Sequence, residues 1–295
     1  MSEFSGDRRV TNTRRGVLFL LLVMVISCVN DAIAKLLGQR LDALQIIFFR
    51  FFFSLITLLP IVLKMEAKVF ETANLTFNFA RGVLGVISFY LYTYAIMKIS
   101  LVEVVTIMWI IPLFTMILAI FFLHERVTAE RWTATMLGFC GLAFLIYHDS
   151  GSMPLSFKWI YLVPCAAAFL FAIQDIMIKK MIVTNENSCT ILLYFAMITS
   201  ALAFFPAMAV WQTPNMRELL LLSLLGLFAN LMQYLLMKAF DAAKLSVLAP
   251  YRYLEFFISA LIGYLLFNEL PGTNVLVSAM MLIPATLYLT LVRRG

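Results

Sequence analysis

The stretch "APYRYLE" (249–255) sets Arg252 and Glu255 three residues apart, on one helical face, in a run that is otherwise lipid-soluble. "NDAIAKLL" (30–37) carries Asn30 and Asp31 with Lys35 a turn later, and "QDIMIKKM" (174–181) carries Gln174 and Asp175 with Lys179. Arg50 stands among phenylalanines in "FFRFFFS". A charge at the centre of a bilayer costs about 2.5–3.5 kcal/mol on insertion scales, so such groups pair with one another or face a polar cavity. The chemistry open to this set is electrostatic recognition: a guanidinium fork grips a carboxylate, and a carboxylate receives a cation. For each residue two readings stand. Arg252 bridges Glu255, Asp31 pairs with Lys35 or Arg50, and Asp175 pairs with Lys179; or the same groups meet a charged ligand. Glu103 opens an apolar run, where a carboxylate also suits the helix dipole. Trp109 lies well inside its run near Pro112, away from an interfacial belt. With Tyr251 and Tyr253 it offers a stacking surface, packing being the alternative, whereas Tyr90, Tyr92 and Tyr94 alternate and cannot all share a face.

The elements that position these groups are set by composition. Of 295 residues 63% are hydrophobic and 13% charged, and the mean hydropathy is +0.96. Soluble domains carry roughly 25% charged residues, so the lipid bilayer is the partner this chain calls for. The net charge of +6 is scattered between apolar runs, which excludes a nucleic-acid footprint and instead reports membrane orientation. Cys28, Cys140, Cys165 and Cys189 show no C-x-x-C spacing and lie apart from His124 and His148 for the most part, so neither a disulfide framework nor a metal site is expected. No cofactor is expected either. The absence of G-x-x-x-x-G-K-[ST] argues against ATP drive within the chain, and no nucleophile–base constellation falls inside an apolar run, which argues against an enzyme.

A membrane-spanning helix needs about 20 mostly apolar residues. Ten such runs are read near 16–37, 43–64, 76–98, 102–123, 131–147, 157–178, 188–210, 218–238, 245–267 and 274–292. The predicted fold is an all-α integral membrane protein of ten helices. Of the 22 Lys and Arg, fifteen gather on one side when the N-terminus is cytoplasmic, Arg81 among them, and five on the other; Arg50 and Arg252 belong to neither. This bias predicts that both termini are cytoplasmic. The chain also repeats at an offset of 144 residues, which aligns Asp31 with Asp175, Lys35 with Lys179, Ala95 with Ala239 and Glu125 with Glu269. The basic N-terminus followed by an apolar stretch resembles a cleavable leader, but the polar segment near Ala32 has an internal copy, so it is read as the first helix. Five helices per half is odd, so the second half must enter from the opposite side. Such inverted repeats place a transporter's site near the midplane, where the halves meet. The division is a tail at 1–15, a first repeat at 16–150 and a second at 151–295.

The paired helix ends "FFLHE" and "LLFNE", together with "GFCGLAFLI" in the fifth run, resemble the EamA branch of the drug/metabolite transporter superfamily. The tenth run, "VSAMMLIPATLYL", departs from that pattern in lacking a glycine pair. "NDAIAKLLGQRLDALQIIFFRFFFSLITLLP", "RGVLGVISFYLYTYAI" and "APYRYLEFFISALIGYLLFNE" are similar to the S-adenosylmethionine uptake carriers of obligate intracellular bacteria, over nearly the whole chain after the first residues. The resemblance implies import of S-adenosylmethionine across the bacterial inner membrane in exchange for S-adenosylhomocysteine. An exporter of amino acids or cationic drugs on the same fold is the alternative.

That substrate suits the buried polar set. Arg252 or Arg50 is a candidate for its carboxylate, Asp31 or Glu255 for its ammonium, and aromatic faces such as Trp109 and Tyr251 for its sulfonium. Asn30, Gln174, Asn230 and Gln233 are amide candidates for adenine. Glu125 and Glu269 read as structural.

Overall fold

The computed structural model describes residues 12–64, 70–72, 74–99, 101–108, 110–125, 127–129, 132–133, 135–136, 140 and 159–267. Within them the regular structure is helical: α1 (Thr13–Leu37), α2 (Ala43–Lys64), α3 (Leu75–Lys98), α4 (Leu101–Met108), α5 (Ile111–Leu123), α6 (Leu162–Val183), α7 (Ser188–Ala209), α8 (Met216–Ala242) and α9 (Glu255–Phe267). Six helices among the described residues are long and apolar enough to cross a membrane. Large apolar side chains such as Leu18, Leu63 and Phe205 stay outward-facing, as lipid contact allows. The runs read at 131–147 and 274–292, with Glu269, fall largely or wholly outside the described residues.

Local chemistry sets the helix starts. Asn12 accepts from Arg15 N at 3.2 Å, and Asn187 accepts from Cys189 N at 2.9 Å. At α8, Asn215 and Glu218 form a reciprocal capping box. The same Glu218 receives Arg40 from the α1–α2 link, through Nε at 2.6 Å and Nη2 at 2.5 Å. The run read as one helix over 102–123 is two: α4 stops at Met108, and α5 begins with Pro112 in its first turn, where its fixed φ suits a helix start. The run at 245–267 is broken too. A single turn, Leu245–Leu248, tightens to 3₁₀ helix over Ala249–Leu254, the stretch that holds Pro250, before α9 begins. Glu125 joins the two broken runs: its carboxylate accepts from Leu245 N at 3.3 Å, Ser246 N at 3.2 Å and Ser246 Oγ at 2.6 Å. It thereby satisfies amides that a helix start leaves bare.

Element bounds recur at the 144-residue offset. α4 and the Leu245 turn start together under it, α5 coincides with α9 end to end, and α3 and α8 finish together. The packing is reciprocal as well: α1 lies on α8 and α6 on α3, α2 lies on α8 and α7 on α3, and α2 meets α7. Two close approaches depend on glycine. A Cβ on Gly226 would sit 2.6 Å from Phe53 Cβ and 2.9 Å from Arg50 O, and one on Gly85 would sit 2.5 Å from Phe195 Cε2. Without a side chain at these positions, α8 reaches the backbone of α2, and α3 makes room for the Phe195 ring of α7, which brings the halves close.

Candidate functional site

A cavity of about 150 Å³ lies between the halves. Its charged wall consists of Asp31 on α1, Arg50 on α2, Arg81 on α3, Asp175 on α6, Arg252 on the 3₁₀ stretch and Glu255 at the start of α9. Among the described residues three guanidiniums and three carboxylates line it, so their formal charges cancel while both signs stay on offer. The 3₁₀ turn explains why Arg252 and Glu255 both reach it: residues three apart eclipse in that geometry.

The acids are not held alike. Arg252 Nη2 lies 2.8 Å from Asp175 Oδ2, a direct contact between opposite charges. Asp31 instead accepts a hydrogen bond from the Tyr92 hydroxyl at 2.7 Å and feels Arg50 as a nearby charge. Arg50 lies over the Phe89 ring at 4.5 Å, and its Nε has no hydrogen-bond partner among the described residues. On the α6 side, Gln174 Nε2 donates to Ser88 Oγ at 2.8 Å. Aromatic rings of Phe89, Tyr92 and Phe171 fill the wall between, with Phe171 edge-on to both of the others.

Of the eight residues proposed from sequence, Asp31, Arg50, Gln174, Arg252 and Glu255 line this cavity. Asn30 is 1% exposed, and neither its amide oxygen nor its nitrogen finds a partner among the described residues. Tyr251 packs into the apolar core rather than along the cavity. Trp109 lies outside the described residues, as do the side chains of Glu103 and Tyr253. The pairings expected within one helix give way to pairings between helices. Asp175 meets Arg252, while Lys179 donates to the backbone carbonyls of Phe240 and Ala243. Asn230 ties α8 to Ser54 and Thr57 of α2, at 2.5 Å to Ser54 Oγ and 2.6 Å to Thr57 Oγ1, so its amide is committed to the scaffold.

One assignment needs correction. The charge count by sides places Arg81 with the cytoplasmic basic residues, yet it sits six residues into α3, about 9 Å along the axis, with 0% exposure. Its guanidinium lies 3.9 Å from the Phe195 ring centroid and donates to Gln233 Oε1 at 3.0 Å. Its place inside the apolar run 76–98 was the available signal. Tyr92 and Ser88 had no comparable signal, because their partners lie 61 and 86 residues away.

The sequence pattern of the EamA-like transporter family matches residues 14–147 and again 158–291, two copies at the same 144-residue offset. A protein of Rickettsia bellii named as an S-adenosylmethionine uptake transporter is 38% identical over 93% of this chain and 92% of its own. A Rickettsia prowazekii protein of the same name is 37% identical with the same coverage. A solved crystal structure matches with a TM-score of 0.74 over 92% of this chain and 96% of that one, at 14% identity, which shows a common fold. With both halves matched, the chain belongs to the EamA-like transporter family and is a multi-pass membrane transporter, not an enzyme.

Proposed function

We propose that this transporter imports S-adenosylmethionine across the bacterial inner membrane in exchange for S-adenosylhomocysteine. In this reading ten helices form two inverted halves, 16–150 and 151–295, behind a short tail, with both termini cytoplasmic. The halves alternate access to a site at their interface. The observation that carries it is a single cavity shared by both halves in which Asp31 is held by a phenol rather than by a contacting cation. A carboxylate so placed is ready for the positive charge of an incoming ligand, and the neighbouring rings add cation–π attraction for a sulfonium. Glu255 supplies a second anionic group, and Gln174 an amide for a base edge. The names of the Rickettsia relatives and the reciprocal packing of the halves support the same reading.

Exchange of a +1 substrate for its neutral demethylated product moves one net charge inward. A potential of 100 mV, inside negative, contributes about 2.3 kcal/mol to that step, roughly a fiftyfold bias toward uptake. The test is uptake of radiolabelled S-adenosylmethionine into proteoliposomes preloaded with S-adenosylhomocysteine, with empty vesicles alongside. Uptake that needs the internal product and grows with an inside-negative potential is expected. Uptake indifferent to both would overturn exchange, and none from folded protein would overturn the substrate.

A further inference from the structure

We propose that Arg81 is the anchor for the substrate's carboxylate and so selects ligands that keep their amino-acid end intact; this rests on the S-adenosylmethionine reading above. The three guanidiniums of the cavity differ in what already satisfies them. Arg252 is spent on Asp175, at 2.8 Å. Arg50 has Asp31 as its leading electrostatic partner. Arg81 is fully buried, and among the described residues its hydrogen bonds go to neutral acceptors: Gln233 Oε1 at 3.0 Å and, at a long 3.4 Å, the Ile191 carbonyl. Its Nε has no partner among the described residues. Among the described residues the acid whose field reaches it, Asp175, is the acid that Arg252 contacts.

A guanidinium presents five donors in one plane. In Arg81 its central carbon lies over the Phe195 ring at 3.9 Å from the centroid. Burying such a cation among neutral groups alone is unfavourable, and an arriving carboxylate relieves it with a charge-assisted, bidentate contact. Arg81 lines the cavity beside Gln233, Gln174 and Asp175, on the wall that offers no unpaired acid to compete. The positive end of the ligand then lies toward Asp31 and Glu255. Because S-adenosylmethionine and S-adenosylhomocysteine both bear the carboxylate, Arg81 serves both legs of the exchange, while the acids sense the charge that differs between them.

The experiment is competition against radiolabelled S-adenosylmethionine, in proteoliposomes and by equilibrium binding to purified protein, using unlabelled S-adenosylmethionine and its decarboxylated analogue. Wild type is expected to favour the intact compound by at least about tenfold, the scale of one lost charged hydrogen bond. Arg81→Gln is expected to bring that ratio close to one. Gln233→Glu keeps the guanidinium but gives it a resident carboxylate, and is expected to lower the ratio in the same way, so it decides the matter should Arg81→Gln fail to fold. A folded variant of either kind that discriminates as wild type does overturns the assignment while leaving the substrate intact. Wild type that neither binds nor takes up S-adenosylmethionine overturns the substrate reading and this assignment with it.

Discussion

Asp31 and Asp175 occupy the same place in the two halves of the chain, 144 residues apart, and both face the cavity. Asp31 is met by the hydroxyl of Tyr92 and Asp175 by the guanidinium of Arg252. At the same offset, Tyr92 corresponds to Leu236 and Arg252 to Met108, and both of these apolar residues also line the cavity. The scaffold has therefore kept its acid twice and its partners once each. A duplicated fold with identical partners would present two equivalent poles. This one gives the pole in the second half a guanidinium and that in the first a phenol, and in the proposed function the ligand's positive charge goes to the first.

The comparison can be broken at each contact. The largest effect is expected from Asp175→Asn, which leaves Arg252 facing a neutral amide. Removing one member of a buried pair costs about 3–5 kcal/mol, to be read as lost thermal stability of the purified protein, and adding Arg252→Gln should restore much of it. Next is Asp31→Asn, expected to lower S-adenosylmethionine affinity by about 1.5–3 kcal/mol, the worth of a hydrogen bond to a charged group, and to cost less stability than Asp175→Asn because Arg50 is a nearby charge and not a contact of Asp31. Equal destabilisation by the two asparagine variants would erase the distinction between the poles. Tyr92→Phe sharpens it. Loss of one hydroxyl should weaken binding by about 1 kcal/mol, through a carboxylate that is present but less well held. The smallest effect belongs to Arg40→Ala, which removes the Glu218 pair at the edge of the bundle. Arg40 is 48% exposed, and such pairs are worth about 0–1 kcal/mol, so stability should barely move.

The helices were legible because an unbroken apolar run of spanning length has few other fates, and the bounds of α1, α2, α3 and α7 fall within a few residues of those read from hydropathy. The break after Met108 was not legible, since 102–123 is evenly apolar and only Pro112 marks it. The break at 249–254 interrupts a run read as one helix; Pro250, which removes a backbone donor just before Arg252, is its mark in the sequence. Within the site, residue type identified Asp31, Arg50, Gln174, Arg252 and Glu255, for which membrane burial demands a reason. The choice of partner was not legible. Asp175 is four residues from Lys179 in sequence, but tertiary packing turns it to Arg252, and Lys179 finds the carbonyls of Phe240 and Ala243 instead. Arg81 was missed because counting basic residues by side treats a helix end as a loop.

The most direct test of the unequal poles is the ratio of S-adenosylmethionine to S-adenosylhomocysteine affinity, measured by equilibrium binding to purified wild type, Asp31→Asn and Asp175→Asn. The two ligands differ by the methyl group that turns the thioether sulfur into a positively charged sulfonium. Wild type is expected to prefer the charged ligand, Asp31→Asn to lose most of that preference, and folded Asp175→Asn, with or without Arg252→Gln, to retain it. A preference that survives in Asp31→Asn and vanishes in Asp175→Asn would contradict the account and move the cation-receiving pole to the second half.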